Sequence, residues 1–154
     1  MKAAYNAGSS LSPILVVEDN DMDFDFCQQA FIEHGVVNPV VHCSDGEQAV
    51  QFIDAHPDIA DKLLPMLVLL DLRLPKVDGI EVLRHARQHP VWKKVPFVIL
   101  TTSGEDSDIS AAYQFGVNSY IVKPVDFGKF SEVVRNIKSY WLITNEPPYA
   151  PSGQ

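Results

Sequence analysis

The chain has 154 residues, enough for one ordinary domain with a sizeable core and too few for two. Hydrophobic residues make up 46% of it and charges of both signs are present, which excludes an intrinsically disordered chain. Its 20 acidic residues against 12 basic ones leave a formal net charge of -8 with no basic cluster, so neither a nucleic acid nor an anionic membrane surface fits as a partner.

Residues 1–11 are small and polar and are expected to form a flexible N-terminal tail without the apolar core of a signal peptide. Pro13-Ile14-Leu15-Val16-Val17 reads as a strand that stops at Glu18-Asp19-Asn20. Asn20 can cap a helix whose first turn carries Asp21, Asp23 and Asp25, the charge sign favoured there. Phe24, Cys27 and Phe31 follow at helical spacing, and Gly35 ends the helix. Asn38 to Cys43 reads as a second strand, turned by Ser44-Asp45-Gly46 into a helix with Ala49, Phe52, Ile53 and His56 on one face and Pro57 closing it. Leu63 to Leu70 is the longest apolar run, and Pro65 breaks it well short of a membrane span, so the chain is expected in the cytoplasm. Within it, the strand from Met66 ends on Asp71 at the carboxyl edge of the sheet, followed by a loop at Pro75.

Ile80, Leu83 and Ala86 mark a third helix, closed by Pro90. Pro96 to Leu100 makes a fourth strand ending at Thr101-Thr102-Ser103-Gly104. Glu105 to Phe115 fits a short helix ended by Gly116, with Ile109, Ala112 and either Tyr113 or Phe115 facing inward. The fifth strand, Ser119 to Val122, stops at Lys123-Pro124. Phe127, Phe130, Val134, Ile137 and Trp141 give the last helix a continuous apolar stripe, and residues 143–154, with Pro147, Pro148 and Pro151, are expected to be an extended tail. The two cysteines, Cys27 and Cys43, read as buried, reduced thiols.

Five repetitions of strand then helix imply an α/β fold, a parallel doubly wound sheet in a three-layer sandwich. Four of its five strands then end on residues suited to phosphoryl chemistry at one edge: Glu18 with Asp19, Asp71, Thr101 and Lys123. Three carboxylates brought together shift one another's pKa upward unless a cation joins them. Asp19 and Asp71, Glu18 through water and the backbone carbonyl of Arg73 offer the hard oxygens that Mg2+ prefers. Lys123 adds a positive charge and Thr101 a hydroxyl, both suited to phosphate oxygens. Singly, each has a plainer reading: Lys123 as a surface lysine, Thr101 as a helix cap, Glu18 and Asp19 as capping residues. What carries the chemical reading is the right residue at each of four separate strand ends.

These stretches resemble the receiver domain of two-component response regulators, and the likeness covers residues 12–142. It rests on Leu15-Val16-Val17-Glu18-Asp19-Asn20, on Leu69-Leu70-Asp71 through Lys76-Val77-Asp78-Gly79, on Leu100-Thr101-Thr102-Ser103 and on Tyr120-Ile121-Val122-Lys123-Pro124. The resemblance implies a flavodoxin-like fold with strand order 2-1-3-4-5. It implies Asp71 as acceptor of a phosphoryl group from a sensor histidine kinase, Lys123 and Thr101 as its ligands, and Tyr120 as an aromatic switch beside Thr101. The Trp141-Leu142 ending resembles the single-domain regulators associated with bacterial phytochromes, which implies a bacteriophytochrome-type kinase upstream and a separate phosphotransfer or target protein downstream. Arg73 departs from the small polar residue common two places past the acceptor in those relatives, and is expected to change the lifetime of the phosphorylated state.

Two other readings of the same residues stand beside this one. A phosphoester hydrolase working through an aspartyl-phosphate usually wants an acid two residues after the nucleophile, where this chain has Arg73. A receiver-like binding module that is never phosphorylated needs no complete set of site residues. Asp19, Asp21 and Asp23 alternate like the start of a calcium loop, but Phe24 and Ala30 stand where that loop needs Gly and Glu. His85 and His89 lie one helical turn apart with no third metal ligand. Val133 and Tyr140 widen the stripe of the last helix beyond what one buried face requires, so a homodimer through that helix is expected.

Overall fold

Strand sequences such as Ile14–Val17 and Leu67–Leu70 hold no polar side chain, so the sheet they build must be covered on both faces. The computed structural model describes residues 2–4 and 11–148. In chain order the elements are β1 (Lys2–Ala4), β2 (Ile14–Val17), α1 (Asp21–Glu33), β3 (Val40–Cys43), α2 (Gly46–Ala55), β4 (Leu67–Leu70) and α3 (Gly79–Arg87). A 3-10 turn over Trp92–Lys94 then leads to β5 (Phe97–Thr101), α4 (Asp106–Gln114), β6 (Ser119–Val122) and α5 (Phe127–Ile137), which runs on as a π-helix over Lys138–Thr144.

One sheet has the order β1-β3-β2-β4-β5-β6, and β2 to β6 are mutually parallel. Counted alone, the five parallel strands follow the expected order 2-1-3-4-5. Side chains alternate between the two layers along each strand: Leu15, Val68 and Phe97 join the core under α2, α3 and α4, while Val16, Leu69 and Val98 join that under α1 and α5. Trp92 is buried between α3 and β5 with its indole N–H donating to the His56 carbonyl at 2.9 Å. Arg87 is half-buried and spends all its nitrogens there: Nε on the Gly116 carbonyl, Nη1 on those of Trp92, Lys93 and Val95, Nη2 on Asn118. Its guanidinium carbon lies 4.9 Å from the centre of the Phe97 ring.

The structure departs from the sequence reading at both ends. Where a tail was expected over residues 1–11, Lys2–Ala4 pair antiparallel with β3, Ala4 opposite Val40 and Lys2 opposite His42. Backbone pairing alone makes this strand and covers the β3 edge, so no hydrophobic alternation announces it. Residues 1 and 5–10 lie outside the described residues. At the other end the helix continues through Thr144, because the chain widens to a π turn in which the Thr144 hydroxyl donates to the Ser139 carbonyl at 2.8 Å. Residues 149–154 of the expected tail also lie outside the described residues. Of the residues expected to face inward from α4, Ala112 is buried and Phe115, just past its end, packs on the same core, while Ile109 is half-buried outside that core and Tyr113 is exposed.

Candidate functional site

Asp71 follows the last residue of β4 instead of ending the strand, yet its N–H still donates to the Val17 carbonyl at 3.0 Å. The same one-residue extension holds Glu18, whose N–H donates to Cys43 O at 3.0 Å, and Lys123, whose N–H donates to Thr101 O at 2.7 Å. Three reactive side chains therefore start from backbone fixed by the sheet. They meet at the carboxyl edge: Lys123 Nζ donates to Glu18 Oε2 at 2.8 Å, to Asp71 Oδ2 at 3.0 Å and to Asp23 Oδ2 at 3.0 Å. The second oxygen of Asp71, Oδ1, accepts from the Thr101 hydroxyl at 2.8 Å and from the Arg73 backbone N–H at 3.2 Å.

Asp19 is exposed, and one carboxylate oxygen from each of Glu18, Asp19 and Asp71 lies within 4.8 Å of the other two. Among the described residues these three form the one such cluster of metal-ligating side chains. His85 pairs with Asp54 at 2.7 Å, and His89 Nδ1 accepts the Val91 and Trp92 N–H groups, so those histidines are occupied structurally. Glu18, Asp19, Asp71, Thr101 and Lys123 thus come together, and so does one residue not expected there. Asp23 reads in the sequence as a helix-dipole charge and as part of a calcium-loop alternation that fails at Phe24 and Ala30. The signal that could have found it is its place three residues after the Asn20 cap, whose side chain accepts the Asp23 N–H at 3.0 Å and turns this position toward the site.

Among the described residues Lys123 is the one cation paired with Glu18, Asp23 and Asp71, and Asp19 clusters with two of those carboxylates, so carboxylates outnumber cations here. Burial, with Asp71 beside it, pushes the Glu18 carboxyl up to about 8 against the pull of Lys123. Burial also pushes Asp71 upward, but the neighbouring Glu18, the Lys123 ammonium and the Thr101 hydroxyl outweigh it and hold Asp71 below the usual carboxylate range. Glu18 is thus the carboxyl pushed toward its neutral form, and Asp71 the one held toward its ionised form. Burial lowers Lys123, yet Glu18 and Asp71 more than reverse this, so its ammonium is held. Cys27 and Cys43 are buried free thiols pushed up to about 12 chiefly by desolvation, which keeps them protonated beside this edge.

Around Asp71, packing leaves no slack. A Cβ on Gly79 would lie 2.3 Å from the Asp71 carbonyl oxygen and 2.6 Å from Leu72 Cα, so only glycine lets α3 start against the loop after β4. Tyr120 is half-buried on β6 and its hydroxyl donates to the Ser103 carbonyl at 2.7 Å, two residues past Thr101. The Arg73 side chain turns to Asp108 on α4, Nη2 to Oδ2 at 2.5 Å.

The response regulator receiver domain family matches residues 14–135 of the chain. The chain belongs to that family. This receiver is 36% identical over 137 residues to the response regulator Rcp1 of Synechocystis sp., across 89% of the receiver's chain and 93% of Rcp1. It is 41% identical over 135 residues to the probable methanogenesis regulatory protein FilR2 of Methanothrix harundinacea, across 88% of this chain and 86% of FilR2. The crystal structure of the phosphorylated cyanobacterial phytochrome response regulator RcpA matches the receiver with a TM-score of 0.83 at 35% identity, covering 92% of this chain and all of that one. The Mn2+-bound form of Rcp1 matches with a TM-score of 0.80 at 35% identity, covering 89% and 99% of the two chains. The receiver is therefore a phosphorylation-dependent response regulator homologous to phytochrome response regulators, and the flavodoxin-like fold expected of it is the fold observed. Among the described residues no helix is long and apolar enough to cross a membrane.

Proposed function

We propose that Asp71 accepts a phosphoryl group from the phosphohistidine of a sensor histidine kinase of the bacteriophytochrome type, and that the receiver signals through the surface this changes. What supports the reading most is the gripping of one ionised carboxylate from both sides, Lys123 on Oδ2 and Thr101 on Oδ1. An Asp71 oxygen attacks phosphorus, the P–N bond breaks, and its electron pair leaves with the imidazole. Lys123 and Thr101 then turn from the carboxylate to the oxygens of the transferred group, which is mostly a matter of charge and position.

Glu18, Asp19 and Asp71, with the Arg73 carbonyl, are the proposed ligands of Mg2+; the clustered hard oxygens and unbalanced negative charge fit a small divalent cation. When bound, it supplies the charge neutralisation that lets an anionic donor approach. Thr101 and Tyr120 are the proposed switch, because the Tyr120 hydroxyl rests on the carbonyl of Ser103 and a shift of Thr101 moves that segment. A phytochrome-type kinase is supported by the likeness to RcpA along nearly the whole chain. The downstream partner is a protein, whether a phosphotransfer relay or a target, since the acidic surface does not suit nucleic acid. A homodimer through α5 and the π-helix is supported by exposed Tyr140 and Ile143 beside half-buried Val133 and Trp141. Light scattering is expected to give a dimer mass, and a concentration-independent monomer would contradict it.

The acceptor reading is tested with acetyl phosphate and Mg2+. Intact mass is expected to gain one phosphoryl group that Asp71→Asn cannot take. Rapid multiple turnover without an adduct would indicate a hydrolase instead, and no reaction at all a binding module.

A further inference from the structure

Helix α4 is the least fastened of the five. Asn20, Asp45, Asp78 and Asp126 each cap their helix through the side chain, whereas Glu105 at the start of α4 makes no such bond and Ala112 is the one buried residue of that helix. At the end near the acceptor, α4 is tied down by Asp108 in its first turn. A single oxygen, Asp108 Oδ2, accepts from Arg73 Nη2 and from the Ser103 hydroxyl, each at 2.5 Å. Arg73 also donates its backbone N–H to Asp71, and the Ser103 carbonyl takes the Tyr120 hydroxyl. The acceptor loop, the β5–α4 loop, α4 and β6 are thus joined through one carboxylate.

We propose that Asp108 is a positioning residue that fastens α4 to the acceptor loop, and that a phosphoryl group on Asp71 draws the Arg73 guanidinium away from it and frees the start of α4. This rests on the phospho-acceptor reading. Without phosphoryl, Asp71 is already satisfied by Lys123, Thr101 and the Arg73 N–H, and the guanidinium has no better partner than Asp108. Phosphorylation adds about 1.5 to 2 negative charges with three acceptor oxygens only two residues from Arg73, against the single charge of Asp108. The Arg73 side chain is 56% exposed, so it can change partner without opening the core, and an ion pair that exposed is weak enough to be outbid. Once Arg73 leaves, Asp108 keeps only Ser103, and α4 has neither a side-chain cap nor a deep apolar face to hold its first turn.

Hydrogen exchange of residues 106–114 in the full chain tests this, with and without acetyl phosphate and Mg2+, while intact mass records the adduct in the same samples. In the unmodified chain, exchange of the first turns of α4 is expected to rise about threefold to fivefold on phosphorylation. Asp108→Asn and Arg73→Gln are each expected to show that faster exchange without phosphoryl and to change by less than about twofold on receiving it, and the double variant to be no faster than either single one, since both remove the same contact. Asp108→Glu, which keeps the carboxylate, is expected to restore most of the protection. Unchanged α4 exchange in unphosphorylated Asp108→Asn and Arg73→Gln, or additive effects in the double variant, would overturn the proposal. Absence of any adduct would instead overturn the acceptor reading, and the unphosphorylated comparison would still judge Asp108.

Discussion

Replacing Glu18 by Gln should make the metal-free protein more stable at pH 8 and leave it nearly unchanged at pH 4.5. Glu18 is 5% exposed and its carboxyl is pushed from an ordinary 4.5 up to about 8, so the folded state favours the neutral form. Between those values the folded chain keeps a proton that the unfolded chain has lost, and stability must fall as pH rises. A shift of that size corresponds to a ceiling of about 4 kcal/mol lost between pH 4.5 and pH 8, a large share of a domain's total. Asp71, held low, acts in the opposite sense and in another window: its contribution is complete above the ordinary value of 3.8 and is lost only below it. Urea unfolding in EDTA at pH 5, 6, 7 and 8 measures this as the difference between the unmodified chain and Glu18→Gln, which removes the effect of every group the two share. The difference is expected to grow with pH in EDTA. Mg2+ is expected to reverse the decline of the unmodified chain, because the cation takes the proton's place and binds better as the carboxylates ionise. Parallel stability profiles for the two proteins in EDTA would refute the upward shift of Glu18.

Other substitutions test the packing that positions the site. Gly79→Ala must push the Asp71 carbonyl aside, so it should cost about 1–3 kcal/mol in urea unfolding and slow phosphoryl uptake from acetyl phosphate as well. Arg87→Leu takes the guanidinium from the Gly116, Lys93 and Val95 carbonyls, while Trp92 O keeps the Val95 N–H and Asn118 Oδ1 the Phe97 N–H, and should cost about 3 kcal/mol; a loss below about 1 kcal/mol would mean those bonds contribute little. Arg73→Asn removes the cation two residues past Asp71 and should shorten the lifetime of the aspartyl-phosphate by about threefold or more, an effect of the size of a part-exposed ion pair. Unchanged dephosphorylation would show that Arg73 stays on Asp108 throughout.

Much of this was legible in the sequence because the strands are buried on both faces and their ends are marked. Continuous apolar runs at Ile14–Val17, Leu67–Leu70 and 97–100 leave few alternatives, and Asn20, Gly35, Pro57, Pro90 and Gly116 punctuate the helices between them. The parallel topology then sends Glu18, Asp71, Thr101 and Lys123 to one edge whatever the details of packing. Contacts that depend on side-chain reach were not legible. Asp23 looks like any helix-dipole charge until α1 is seen to turn it onto Lys123, and Arg73 meets Asp108 across 35 residues with no periodicity to announce the pair. Arg87 stands in a helical pattern as an ordinary surface cation, although its guanidinium binds the carbonyls of Lys93, Val95 and Gly116 across separate loops. The β1 strand, built from Lys-Ala-Ala, owes its pairing to an open sheet edge and not to its own composition.

The central claim is that one aspartate, ionised and gripped by Lys123 and Thr101, receives the phosphoryl group. Borohydride trapping after acetyl phosphate and Mg2+ treatment reduces an aspartyl-phosphate to the corresponding alcohol, and peptide fragmentation then locates the reduced residue. The expected result is reduction at residue 71 alone, abolished by EDTA and strongly diminished in Lys123→Met. Reduction at Glu18, Asp19 or Asp23, or an undiminished yield at residue 71 in EDTA, would contradict it.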